Sequence, residues 1–241
     1  MNKTSIIIVL GIVATLLLMS RTHINNIADR LYPVLAQVLP LEKGMIEAPK
    51  YRKLADKYKE SYSHLDQADY LFLGDSHIQY FNVEDRFTGR KVINYGIAGD
   101  TTEGVIKRLP APASKNKIKQ GVLFMVGYND LKYRDVAKII GNHRNMLVKA
   151  SRQLDLPFSK IIFHSLFPVS RERTYVNDSI IRINQAGKLL CAELGCVFLD
   201  LYANFTDLHG GLRDLYSKDG VHLNQTGYAI WTALLKQSLN I

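Results

Sequence analysis

The 241-residue chain is poor in cysteine and tryptophan, with two and one, and after residue 20 it has no long uncharged apolar run. So few cysteines exclude a disulfide-dense scaffold. Cys191 and Cys196 stand in a Cys-x4-Cys spacing without the further Cys or His that a zinc site needs. They leave two readings, a disulfide in an oxidising compartment or two buried thiols, and the thiols are expected. Acidic residues are also short, 22 against 31 Lys plus Arg, for a net charge of +9. That excess attracts polyanions in general, but no zinc-finger or RNA-binding signature accompanies it, so nucleic acid is not an expected partner. Internal repeats and low-complexity stretches are absent, and an apolar fraction of 47% excludes a largely disordered chain. The length suits one domain with an appendage.

What is present begins with an uncharged segment. Thr4 to Ser20 carries no charge, with Lys3 before it and Arg21 after. As a helix it reaches about 25 Å, slightly short of a hydrocarbon core of about 30 Å. The run ends Leu17-Leu18-Met19-Ser20-Arg21, without the small-x-small pattern of a cleavage site. Residues 1–22 are therefore expected to form an uncleaved transmembrane anchor, with the rest of the chain exported to the periplasmic or extracellular side. Residues 23–66 read as a helical connector, with apolar positions Ile24, Ile27, Leu31, Val34 and Leu35 followed by a Lys-rich, polar stretch over Tyr51–Tyr62. Nothing in the connector is expected to carry chemistry.

From residue 67 to 241 the pattern alternates. Strands are predicted at Tyr70–Leu73, Lys91–Asn94, Gly121–Val126, Lys160–Phe163 and Cys196–Leu199. Helices are predicted near Thr102–Leu109, Asp135–Leu154, Tyr175–Leu194 and Gln225–Leu239. Short continuous apolar strands separated by helices imply an α/β fold whose parallel sheet is covered on both faces. In such sheets ligands bind beyond the carboxyl ends of the strands. Polar clusters follow the first three strands: Gly74-Asp75-Ser76-His77, Gly96–Thr101 and Gly127-Tyr128-Asn129-Asp130.

A serine after a buried strand and a turn glycine can stand at a helix start, where backbone N–H groups favour developing negative charge. Near the carboxyl terminus, Asp219-Gly220-Val221-His222 puts a carboxylate three residues before a histidine. That spacing lets Asp219 hold the imidazole Nδ1–H while Nε2 takes a proton from a serine hydroxyl. Gly99 can bring its N–H close to a reacting oxygen, and Asn129 offers a side-chain amide. Each feature alone is equally a cap or a turn.

Together, Gly74-Asp75-Ser76, Gly99-Asp100-Thr101, Gly127-Tyr128-Asn129-Asp130 and Asp219-Gly220-Val221-His222 resemble the four blocks of the SGNH (GDSL-like) hydrolases, in the family's order. Asn94–Leu109 is most similar to the platelet-activating-factor acetylhydrolase-like members. The resemblance covers about residues 68–240. It implies a three-layer αβα sandwich with a flavodoxin-like five-stranded parallel sheet, and acyl-transfer chemistry on esters without metal or cofactor. It implies Ser76 as nucleophile, Asp219 and His222 as its partners, and Ser76 N–H, Gly99 N–H and Asn129 as oxyanion donors. Asp75, His77 and Tyr128 are expected to border the substrate. His77 departs from the family, which has an apolar or small residue there.

The expected activity is removal of a short acyl group, acetyl foremost, from an oxygen ester on a carbohydrate. An O-acyltransferase or a non-catalytic glycan-binding module on the same scaffold are the alternatives. Asp75-Ser76-His77 and Gly141-Asn142-His143 also mimic fragments of calcineurin-like metallophosphoesterases, but no Gly-His-x-His follows and His143, within a helical run, is expected on the surface. Lys107, Arg108, Lys115, Lys117 and Lys119, with Lys132, Arg134, Arg171 and Arg173, are expected to draw in an acidic polysaccharide. Leu166-Phe167-Pro168-Val169 offers only a short apolar patch for an acyl chain.

Overall fold

Five apolar runs become the strands β1 (Tyr70–Gly74), β2 (Val92–Gly96), β3 (Gly121–Met125), β4 (Ile161–His164) and β5 (Val197–Leu199) in a computed structural model that describes residues 48–110, 118–170, 172 and 174–241. All pair in parallel, in the order β2-β1-β3-β4-β5. This is the expected five-stranded α/β sandwich. The helices are α1 (Pro49–Glu60), α2 (Ser76–Gln79), α3 (Val83–Arg86), α4 (Thr102–Lys107), α5 (Val136–Leu154), α6 (Thr174–Leu194), α7 (Tyr202–Phe205) and α8 (Gln225–Leu239).

Strand side chains alternate between faces, which divides the core in two. Tyr70, Phe72, Leu123, Met125 and Ile162 join one cluster with Ile78, Phe81, Tyr228 and Trp231. Leu71, Leu73, Val122, Phe124, Ile161 and Phe163 face the other, with Val105, Met146, Leu147 and Leu190. Burying each such side chain contributes about 1.5–3 kcal/mol, so both faces need their helices. The Phe81 and Trp231 rings stack with centroids 4.4 Å apart and hold α8 against the segment that follows α2. Side-chain caps begin the long helices: Asp135 accepts from Lys138 N at the head of α5, and Asn224 from Gly227 N at the head of α8. Each cap contributes about 1 kcal/mol. The chain leaves β1 for β2 on one side and then crosses to β3 on the other. The strand order therefore reverses at the carboxyl end of β1, where Ser76 stands.

The expected membrane segment, residues 1–22, and the connector as far as residue 47 lie outside the described residues. Among the described residues no helix is long and apolar enough to cross a membrane. The remainder of the connector packs on the domain. Tyr51 and Ala55 of α1 are buried, and Leu65, in the 3-10 turn Ser61–Gln67, is fully enclosed in the second core cluster.

Two expectations are corrected. Cys191 and Cys196 form a disulfide rather than two thiols, because the tight turn after α6 brings their Cα atoms to 4.6 Å. The N–H groups of Gly195 and Cys196 both donate to the Cys191 carbonyl there. His143 lies not on the surface but on the buried face of α5, its Nε2 2.8 Å from the Val126 carbonyl and its ring edge-on to Phe163. Burial pushes its imidazole down to about 4, so it stays neutral.

Candidate active site

Ser76 is the first residue of α2, two positions beyond β1. Asp75 caps that short helix, its carboxylate accepting from His77 N at 3.0 Å. Ser76 Oγ lies 3.0 Å from His222 Nε2, and His222 Nδ1 lies 2.7 Å from Asp219 Oδ2. Asp219 Oδ1 accepts from the backbone N–H of Val221 at 2.9 Å and of His222 at 2.7 Å. One carboxylate thus builds the loop and orients the ring that the loop carries. The Ser217 hydroxyl reinforces it by donating to the His222 carbonyl and accepting from Gly220 N. Partial burial pulls the Asp219 carboxyl up, but bonds from the His222 ring and two backbone N–H groups outweigh this and hold it near 2. Asp219 is therefore a carboxylate across the working pH range, although 57% of its side chain is exposed.

The other two blocks meet beside this row. After β2 the backbone turns through Gly99 at φ +81°, a left-handed conformation that an L side chain adopts only with strain. The Asn129 side chain is buried and donates from Nδ2 to the Asp100 carbonyl at 3.1 Å. An amide NH₂ has two hydrogens, and this bond, which ties the blocks together, uses one of them. The Ser and Gly blocks are joined through the Gly74 carbonyl, which accepts from Ile97 N at 3.0 Å.

The residues expected to border the substrate sit deeper. Asp75 is buried and serves as the helix cap. His77 is buried too, its Nε2 3.0 Å from the Val221 carbonyl and its Nδ1 3.6 Å from Asp75 Oδ1. It staples the nucleophile's helix to the loop bearing His222. Tyr128 is half-buried against the first core cluster. Residues not foreseen stand around the row. Tyr80, four residues after Ser76, packs edge-on to His222 at 5.6 Å with 53% of its surface open. Asp100 pairs with Arg108 at 2.7 Å and Asp130 with Arg134, all buried or nearly so. Asp130 also accepts from the Thr102 N–H and hydroxyl, and burial pushes it up to about 7.

Those pairings correct the electrostatic expectation for two of its cations. Arg108 and Arg134 are spent on internal carboxylates, Glu103 being a second partner of Arg134 at 3.5 Å. Lys115, Lys117, Arg171 and Arg173 lie outside the described residues. Leu166, Phe167 and Val169 are buried in the first core cluster and present no open apolar patch. The histidines of the metallophosphoesterase fragments are engaged elsewhere, His77 on Val221 and His143 on Val126.

Comparison with known proteins extends this picture. A model of the "GDSL-like Lipase/Acylhydrolase family" matches residues 72–230. Platelet-activating factor acetylhydrolase IB subunit alpha2 is 28% identical over 170 residues in both rat and human, covering 68% of this chain and 72% of the relative. Among solved structures, a candidate platelet activating factor from Streptococcus pneumonia superposes with TM-score 0.68 at 26% identity, over 85% of this chain and 99% of that one. A catalytic mutant of Axe2, an acetylxylan esterase from Geobacillus stearothermophilus, shares the fold at TM-score 0.57 and 17% identity, over 71% and 94%.

Proposed function

Since the chain belongs to the GDSL-like lipase/acylhydrolase family and is an ester-hydrolysing serine hydrolase, we propose that it removes a short acyl group, acetyl foremost, from an oxygen ester on a carbohydrate, with Ser76, His222 and Asp219 as its catalytic residues. The observation that carries the assignment of residues is the continuous row from Ser76 Oγ to His222 to Asp219, at 3.0 and 2.7 Å. Ser76 Oγ attacks the acyl carbonyl carbon while its proton passes to His222 Nε2. The carbonyl oxygen takes the electron pair and is held by the N–H groups of Ser76 and Gly99 and by Asn129. Collapse breaks the bond to the alkoxy oxygen, which leaves with the proton from His222. Water then attacks the acyl-serine by the same route in reverse. Ionised Asp219 keeps the proton on Nδ1 throughout and stabilises the imidazolium.

The alcohol side is the side of His222, because the ring must reach the leaving oxygen. There the open face of Tyr80 offers a flat surface to the C–H face of a sugar ring. The burial of Leu166, Phe167 and Val169 supports a short acyl group, and the acetylxylan esterase with this fold is compatible with an acetylated carbohydrate. Export, with residues 1–22 as the anchor, is part of the same proposal, and the Cys191–Cys196 disulfide supports an oxidising compartment.

Intact-protein mass spectrometry during turnover of an activated acetyl ester tests the chemistry. One acetyl group should appear, mapped to Ser76, and Ser76→Ala should remain unmodified. Acetyl on the Ser76→Ala protein, or a strong preference for long-chain esters, would overturn the reading.

A further inference from the structure

Upstream of the matched family region, three tyrosines of α1 and the turn after it place their hydroxyls on the Gly block, two on the loop that carries Gly99 and one at the far end of α4. Tyr58 Oη donates to the Gly96 carbonyl at 3.0 Å, Tyr62 Oη to the Arg108 carbonyl, and Tyr51 Oη to Asp100 Oδ1 at 2.9 Å. The last bond completes a closed set. Asp100 Oδ1 also accepts from Thr101 N at 2.9 Å, and Oδ2 from Arg108 Nε at 2.7 Å. Arg108 Nη1 reaches the Tyr95 carbonyl at 2.6 Å and Nη2 the Gly74 carbonyl at 3.0 Å. One buried guanidinium therefore ties the ends of β1 and β2 to the residue following Gly99. The Asp100 carbonyl receives Asn129 Nδ2, so the position of Asp100 sets both proposed oxyanion donors.

Resting on the serine-hydrolase reading above, we propose that Tyr51 is a positioning residue for the oxyanion site, holding Gly99 and Asn129 through Asp100. Arg108 restrains one carboxylate oxygen; on the other, the Thr101 N–H belongs to the next residue and moves with the loop, so Tyr51 supplies the restraint that comes from a separate element. Gly104 marks how closely the parts must fit. A Cβ there would stand 1.9 Å from Asp100 Oδ1 and 2.9 Å from Tyr51 Oη, so a glycine occupies a helical position at a cost in helix propensity. Burial and the neighbouring carboxylate raise the Tyr51 hydroxyl well above its ordinary range, which keeps it a donor. Tyr51 touches no reacting atom. Its effect lies wholly in where Asp100 stands.

The test uses Tyr51→Phe in the full chain, with active sites counted by a fluorophosphonate and turnover of 4-nitrophenyl acetate expressed per labelled site. The expected result is a roughly tenfold fall in kcat per site with KM within about twofold, and a matching fall in labelling rate, because phosphonylation uses the same donors. In an Asn129→Ala background the same substitution should cost less than about threefold, one of the two donors it positions being already gone. A purely structural role would reduce the number of labelled sites or the melting temperature and leave kcat per site unchanged. That outcome, or penalties that multiply fully in the double variant, would overturn the proposal. Failure of the unaltered protein to label at Ser76 would instead strike at the serine reading itself.

Discussion

His164 ends β4 with both faces of its ring enclosed, edge-on to Phe167 and to Trp231 at 5.2 Å from each. Its Nε2 has no hydrogen-bond partner among the described residues. Burial pushes the imidazole from its ordinary 6.5 down to about 4. The folded chain thus binds this proton later than the unfolded chain does. The stability that depends on neutral His164 is complete above pH 6.5 and is lost as pH falls through 6.5 towards 4. At about 1.4 kcal/mol per unit, the loss is about 2 kcal/mol by pH 5 and about 3 kcal/mol at most. His143 acts in the same direction, whereas Asp130, raised by burial, opposes it over the same range. A variant isolates the single residue. His164→Leu keeps an apolar side chain of similar size and cannot titrate, so the neighbouring contributions cancel in the difference. Urea unfolding followed by Trp231 fluorescence at pH 8, 6.5 and 5 should show the variant gaining about 2 kcal/mol on the parent between the extremes. Parallel losses in the two proteins would refute the argument that burial holds His164 neutral.

Ser76→Ala and His222→Ala should each remove nearly all ester turnover, while Asp219→Ala should leave a larger residue because Asp219 orients and does not react; kcat/KM on one activated acetyl ester compares all three. Asn129→Ala should lower kcat by about 10²–10³, measured on the same ester, if its other N–H faces the oxyanion. Tyr80→Ala should raise KM for an acetylated oligosaccharide several-fold and leave ethyl acetate hydrolysis nearly unchanged; equal effects on both would remove Tyr80 from the alcohol site. Raising salt should lower kcat/KM on an acetylated acidic glycan only weakly, since Arg108 and Arg134 are internally paired, and a steep fall would point to the other cations, exposed Lys107 and Lys119 among them.

The strands and long helices were legible because each rests on local pattern. Tyr70–Leu73 and Gly121–Val126 are continuous apolar runs that only a sheet covered on both faces accommodates, and α5, α6 and α8 begin and end within a residue of their predicted bounds. Ser76, Asp219 and His222 were legible for a related reason: a turn after a strand and an Asp-x-x-His loop are local arrangements whose chemistry needs little else. Partners distant in sequence were not. Nothing around Asp75-Ser76-His77 announces that His77 reaches Val221, because that contact exists only once the last loop folds over α2. Charge counting puts Arg108 on a basic surface, yet its partner Asp100 lies eight residues away and ahead of α4, beyond the spacings at which helix side chains pair locally. The connector carries one such signal. Tyr51, Ala55, Tyr58 and Tyr62 follow a helical stripe among the lysines, and that stripe is the face packed on the domain.

The two buried Asp–Arg pairs are costly ornaments if stability is the whole account. Desolvating two ions offsets most of their attraction, and a well-packed apolar pair of similar volume stabilises a core at least as well. An apolar pair cannot direct backbone groups, however. Asp100 and Asp130 directly follow Gly99 and Asn129, the two residues whose N–H groups are assigned to the oxyanion. Arg108 spends its remaining donors on the carbonyls of Tyr95 and Gly74, at the strand ends that carry the Gly and Ser blocks. Asp130 in turn holds the N–H and hydroxyl of Thr102, at the head of α4, and Asn142 donates to that hydroxyl at 2.8 Å. The ion pairs thus act as directional joints between loops that no strand pairing connects. A site that must hold its donors in place before charge develops needs such joints, because donors that move during the reaction lose much of their advantage over water. On this argument the cost of burying the ions is met in catalysis, and the place to look for it is kcat and not the melting temperature.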